Sequence, residues 1–363
     1  MLQTVIIGAG VMGLSIARQL ETTHRNVQII DRSTPRMNAS YAAGGMLGAQ
    51  NEFFEDTSLY RLAMKSREMM PETAQALQRE TGMDIEYQKY GLIKVASNLK
   101  DIPTLEKQLA FLQSHDHSIK ALSSSEMTKR FPHLDLDQSA AFKIQDDGQI
   151  NANIYTQALI QSVLKRPSVS LMTHTETYGI LKENEGYTVQ TSKGDIKADE
   201  LIIAAGAWSG ALLNHLDIQL PTHPVKGDVK LIASDYNGLK ETIFNVNGCY
   251  IVPKKPNRFL IGATSEFDNW STENNDDNIK WLDRESQRMI PELAHSHTIK
   301  SWTGIRPITP DEVPIMGTVR PNLYVTTGHY RNGILLSPIV GELMAKLIDG
   351  DTKAHATLAP FTP

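Results

Sequence analysis

The stretch VIIGAGVMGLSIARQL at residues 5–20, followed by NVQIID at residues 26–31, decides how this chain folds. Val5, Ile6 and Ile7 read as a buried strand. Gly8, Gly10 and Gly13 fit the spacing G-x-G-x-x-G, and Val11, Leu14, Ala17 and Leu20 recur at a helical period. Residues 27–30 read as a second strand with Asp31 at its carboxyl end. Gly8 permits the turn off the strand, Gly10 lets backbone approach a pyrophosphate, and Gly13 lets the helix lie close to the sheet. The helix start offers unpaired N–H groups and partial positive charge to phosphate oxygens. Asp31 suits the two hydroxyls of an adenosine ribose and opposes a 2′-phosphate, which makes NADP the least expected dinucleotide. A plain strand-turn-helix also uses glycines. It is the full order of strand, glycines, helix, strand and acid that predicts a dinucleotide, without choosing between FAD and NAD.

The 363 residues exceed one ordinary core and suggest two domains. With 40% hydrophobic and 21% charged residues the composition is globular, and a net charge of −5 provides no basic footprint for nucleic acid. Cys249 is the one cysteine, so no intrachain disulfide forms. The first strand begins near Met1 with no basic segment, apolar stretch and cleavage site before it, and the longest apolar runs are far too short for a bilayer. A cytoplasmic protein is expected, with no membrane partner. The histidines, including His115, His117, His295 and His297, show no ligand spacing, and no metal is expected.

Further along, residues 58–80 read as a helix with Ser58 as N-cap, Gly82 as stop and a break or kink at Pro71. Strands are expected at 91–96 and 140–144, and helices at 99–114 and 152–164. Apolar strands at 169–172 and 201–205 suit a return to the parallel sheet, and Gly206 follows the second of these where a turn faces the dinucleotide. Residues 225–232, 250–252 and 259–263 lack long helices between them and read as antiparallel strands. A helix at 279–290 stops at Pro291. A strand at 323–326, a loop at 328–333 and a last helix, with Ser337 as N-cap, Pro338 at its first position and Gly350 as stop, complete the chain. The plan is α/β. A discontinuous nucleotide domain (1–85, 146–221 and 303–363) carries a second domain (86–145 and 222–302) inserted twice.

Three segments go beyond this plan. Ser40-Tyr-Ala-Ala-Gly-Gly-Met46 resembles the flavin-contacting loop of the glycine and D-amino-acid oxidase family of flavoenzymes. Trp302-Thr-Gly-Ile-Arg306-Pro and Gly328-His-Tyr-Arg-Asn-Gly333-Ile-Leu-Leu resemble the same family. The resemblance runs from Val5 to about Asp349. It implies a Rossmann-like FAD-binding domain, an inserted α+β substrate domain on a largely antiparallel sheet, non-covalent FAD, and a homo-oligomer, often a tetramer. By motif position, Val11, Met12, Asp31, Arg32, Ala39, Ser40, Gly44, Gly45 and Met46 would line the FAD. Thr177 would meet the adenine, and His329, Tyr330, Arg331, Asn332, Gly333, Ile334 and Leu335 the flavin ring.

Arg306 is the first candidate for the substrate. Its planar fork holds a carboxylate bidentately, against the alternative of a surface ion pair. Tyr250 offers either a second hydrogen bond to that carboxylate or a ring in the core. Arg331 either orients substrate and flavin or pairs with an acid. No strong base is required, because in a flavin amine oxidase the neutral amine loses its Cα hydrogen as hydride to the cofactor. Cys249 reads as a small core residue, which argues against covalent flavin. Gly248 and Ser265 depart from the family pattern and widen or re-polarise the pocket.

The resemblance therefore implies an FAD-dependent oxidase of glycine, with sarcosine or small D-amino acids as further substrates and oxygen as acceptor. The products would be an imine, then glyoxylate and ammonia, with hydrogen peroxide, and the imine would supply thiamine thiazole synthesis. The alternatives are a dehydrogenase using another acceptor and a non-catalytic dinucleotide-binding protein.

Overall fold

The computed structural model describes residues 1–34 and 38–363. The opening motif forms strand Leu2–Ile7 and helix Val11–Gln19, with Arg25–Ile30 as the next strand. Its sheet has six strands, ordered Ile315–Arg320, Leu323–Thr327, Glu200–Ile203, Leu2–Ile7, Arg25–Ile30, Val169–Met172. All neighbours are parallel except the edge strand Ile315–Arg320, which the sequence reading passed over. Helices pack on one face of the sheet, and the segments at 177–198 and 209–216 pack on the other, which is why its strands read as unbroken apolar runs. Gly13 shows how close this packing is: a methyl group there would lie 2.1 Å from the Gly8 carbonyl oxygen.

The second sheet has nine strands and is largely antiparallel, with one parallel pairing between Thr242–Asn245 and Leu92–Ala96. Its longest ladder joins His223–Ala233 to His297–Ile308 along their whole length. The expected boundary between residues 302 and 303 falls inside this strand. The segment through Ile308 is therefore part of the substrate sheet, because its ladder partners all lie there. One apolar core runs from the first helices to Leu92, Phe142 and Phe244 of the second sheet, so the two sheets share a packed seam.

Three local expectations are corrected, and two elements were not foreseen. Helix Ser58–Thr81 is capped by Thr57, whose side chain accepts from the Tyr60 N–H, and it runs unbroken through Pro71 to Gly82. Burial of Leu59, Leu62, Ala63, Met70 and Leu77 outweighs the ~3 kcal/mol that an interior proline costs. The last helix is Gly333–Ile348, one turn earlier than expected, with Ser337 and Pro338 inside it. The Ser337 hydroxyl donates to the Ile334 carbonyl at 2.9 Å and replaces the N–H that Pro338 lacks. Strands Thr177–Lys182, Tyr187–Thr191 and Gly194–Ala198 form a separate antiparallel meander that was not foreseen. Helix Thr352–Leu358, also not foreseen, follows the expected stop at Gly350.

Candidate active site

A cavity of about 1500 Å³ lies between the two sheets. Its volume exceeds the ~300–1,000 Å³ usual for a small ligand and leaves room for a dinucleotide with a substrate beside it. One end is built by the opening βαβ unit. Helix Val11–Gln19 starts with no side-chain cap on Gly10, so its positive end is directed at the cavity. The Ser40 hydroxyl accepts from Val11 N–H at 3.0 Å and ties the loop at 40–46 to that helix start. Asp31 accepts from Ala9 N–H at 2.8 Å with one oxygen and from the Ser33 N–H at 3.0 Å and hydroxyl at 3.2 Å with the other, which leaves a lone pair on the first for a ligand. The Arg32 guanidinium lies 3.6 Å over the Trp208 ring. Thr177 lines this end, and its buried hydroxyl has no protein partner among the described residues. A helix start whose N–H groups after Val11 carry no side-chain cap, a carboxylate at the second strand end and an orphan hydroxyl suit a dinucleotide, and the residues fit FAD.

The other end holds Arg306. Its side chain projects from strand His297–Ile308 past Gly227, where a methyl group would fall 1.9 Å from Arg306 Nη2. Nη2 donates to the Thr264 carbonyl at 3.1 Å and Nη1 to the Ser265 hydroxyl at 3.3 Å. No carboxylate among the described residues pairs with it, and burial lowers its pKa. It remains charged, as arginine does in proteins. Tyr250 is the register partner of Gly262, and its ring stacks on Phe244 at 6.0 Å. Burial raises its pKa, so it is a neutral donor, and its hydroxyl faces the cavity with no protein hydrogen bond among the described residues.

Arg331 is acid-paired: it binds Glu52, which raises its pKa against the effect of burial, while it also lines the cavity. Tyr330 lies between the two arginines, with its ring 5.9 Å from Arg306 Cζ and 5.1 Å from Arg331 Cζ. Its N–H donates to the Pro307 carbonyl at 2.8 Å and fixes the loop against the arginine strand. Burial pushes the His329 pKa down to about 3, so its ring is neutral.

Gly8, Gly10, Val11, Met12, Asp31, Arg32, Ala39, Ser40, Gly44, Gly45, Met46, Thr177, Gly206, His329, Tyr330, Arg331, Gly333 and Ile334 all line the cavity, as do Tyr250 and Arg306. Gly13, Asn332 and Leu335 do not. Gly13 is taken up by helix-sheet packing, Asn332 sits at the N-cap of the last helix, and the Leu335 side chain is buried in the core. Cys249 points away from Tyr250 into the apolar cluster on the far side of the sheet, where burial pushes its thiol pKa up. The sequence reading missed Gly227 and Phe244, which line the cavity, and Glu52, which pairs with Arg331. Only Gly227 carried a local signal, a glycine within a strand.

The description FAD dependent oxidoreductase matches residues 3–347. The chain is 36% identical to the glycine oxidase of Geobacillus kaustophilus over 98% of its own length and 95% of that protein's. The crystal structure of glycine oxidase from that organism superposes with a TM-score of 0.94 at 35% identity, covering 100% of this chain and 98% of that one. The bifunctional protein ThiO/ThiG of Trichormus variabilis is 31% identical over 95% of this chain, which spans 52% of that longer protein. A match of this extent, on a cavity whose one end suits FAD and whose other end holds a guanidinium without a carboxylate partner among the described residues, makes the chain a member of the FAD dependent oxidoreductase family.

Proposed function

We propose that this chain is an FAD-dependent oxidase of glycine and other small amino acids, yielding an imine that hydrolyses to the 2-oxo acid and ammonia, with hydrogen peroxide from oxygen. The observation that carries the reading is the Arg306 guanidinium, deep in the cavity and without a carboxylate partner among the described residues. Its fork takes the substrate carboxylate, and the Tyr250 hydroxyl donates to the same group. Gly10 and the start of helix Val11–Gln19 hold the pyrophosphate, Asp31 the ribose and Thr177 the adenine. When bound, FAD supplies the two-electron acceptor for the Cα hydride and the route of those electrons to oxygen.

The start of helix Gly333–Ile348 has no side-chain cap and would favour negative charge on a flavin bound against it. No carboxylate among the described residues faces Arg306 to hold an ammonium, so the substrate amine would react as the neutral form without a protein base. His329, already neutral, adds no competing charge. Gly248 and Ser265 line the cavity, and their small size suits a substrate with an N-methyl or a small D side chain. The match to a bifunctional protein supports a further reading, that the imine passes to a partner enzyme of thiamine thiazole synthesis.

Anaerobic titration of the purified yellow protein with glycine tests this: the visible flavin bands bleach, and admitting air restores them within seconds. Bands that persist with glycine, sarcosine and D-alanine alike refute the amino-acid reading. Bleaching without recovery in air identifies a dehydrogenase.

A further inference from the structure

Below the substrate end of the cavity lies a cation that the proposed reaction does not use. Lys94 stands on strand Leu92–Ala96 as the register partner of Phe244, and it is 6% exposed. Its Nζ lies 4.4 Å from the centre of the Phe244 ring and donates to the Asn51 carbonyl at 3.0 Å. Phe244 lines the cavity and stacks on Tyr250. The acid whose field reaches Lys94 is Glu52, and Glu52 is already bound to Arg331. The group of Lys94, Glu52 and Arg331 thus carries one net positive charge beside a cavity that already holds Arg306.

We propose that Lys94 is a positioning residue for an anionic substrate, a fixed ammonium behind the aromatic wall of the cavity whose field draws the carboxylate to Arg306. This rests on the carboxylate reading of Arg306. The residue touches no substrate and acts through the Phe244 ring, whose π face it polarises. Packed protein between charge and cavity excludes water, so the field is screened less than at a surface. Burial sets the Lys94 pKa at about 8, so the ammonium predominates at neutral pH.

The test uses the FAD-loaded enzyme and two unreactive probes of similar shape, acetate and acetamide, with binding read from the perturbed flavin spectrum. Lys94→Met weakens acetate roughly 3- to 10-fold, the size expected of one charge at an intermediate dielectric. Acetamide binding stays within twofold. Equal weakening of both probes shows a structural role and overturns the proposal, as does an unchanged acetate affinity. Lys94→Gln repeats the comparison if the methionine variant does not load FAD. Wild-type enzyme that binds no acetate overturns the Arg306 reading itself, a result distinct from failure of the Lys94 variants.

Discussion

Gly227 and Arg306 lie on adjacent antiparallel strands, and the glycine is the space into which the guanidinium fits. Gly227 pairs with Gly304, two residues before the arginine, and a methyl group at position 227 would fall 1.9 Å from Nη2 and 2.5 Å from Cζ. Gly227→Ala therefore expels the guanidinium from its seat while touching no cofactor contact. The expected result is a KM for glycine raised at least about tenfold, as for loss of a charge-assisted hydrogen bond, with FAD content unchanged. Arg306→Ala produces the same phenotype more severely. If Gly227→Ala has wild-type KM, the arginine seat has been misassigned.

The Tyr250 hydroxyl is a weaker contributor. It is neutral, faces the cavity and has no protein partner among the described residues, whereas its ring is held by Phe244 and Gly262. Tyr250→Phe keeps the ring and deletes the donor. One neutral hydrogen bond is worth ~1 kcal/mol, so KM rises about fivefold with little change in melting temperature. Unchanged KM with lowered stability would assign the residue to the core.

Much of the nucleotide end was legible because it is local. A strand, three glycines, a helix and an acid lie within thirty residues, and each has a steric or electrostatic reason that survives any tertiary context. Arg306 was legible through its flanking pattern. Gly227, Glu52 and Lys94 were not, because their places beside the cavity come from strand pairing and packing across long stretches of chain. Pro71 misled because burial of one helix face overrides a local penalty. Ser337-Pro338 misled because a hydroxyl can replace the missing backbone donor. The meander at 177–198 was passed over because much of its first and last strands is exposed and so lacks the apolar runs of the main sheet.

Asp147 gives the fold a pH dependence of definite sign. One of its oxygens accepts from Gly48 N–H at 3.0 Å and Gly148 N–H at 2.6 Å, while the other is buried without a partner among the described residues. Burial pushes its pKa up from the usual 3.8 to about 6. Between these values the folded chain holds a proton that the unfolded chain has released. Stability from this group is present below pH 4 and lost as pH rises through 6, by about 3 kcal/mol at most. Asp147→Asn removes the ionisation, so its stability relative to wild type improves from pH 4.5 to 7.5. His329, whose pKa is lowered, has the opposite slope in both proteins and cancels in the difference. Urea midpoints at the two pH values measure this, and parallel shifts for the two proteins would contradict it.

Arg25 joins three elements at the base of the nucleotide domain. It binds Glu200 bidentately, at 2.8 Å from Nε and 3.0 Å from Nη2, and also reaches Asp349 at the end of the last long helix. Glu200 is 6% exposed and accepts a further hydrogen bond from Thr4 at 2.6 Å. Arg25→Ala leaves that carboxylate buried without its cation, at a cost of about 3–5 kcal/mol. The pair itself need not be strongly stabilising, because both charges lose their hydration on folding. Arg25→Met with Glu200→Leu therefore recovers most of the loss. Denaturant melts of Arg25→Ala and of the double variant separate these contributions. A double variant as unstable as Arg25→Ala would show that the ion pair, and not the unpaired charge, sets the cost.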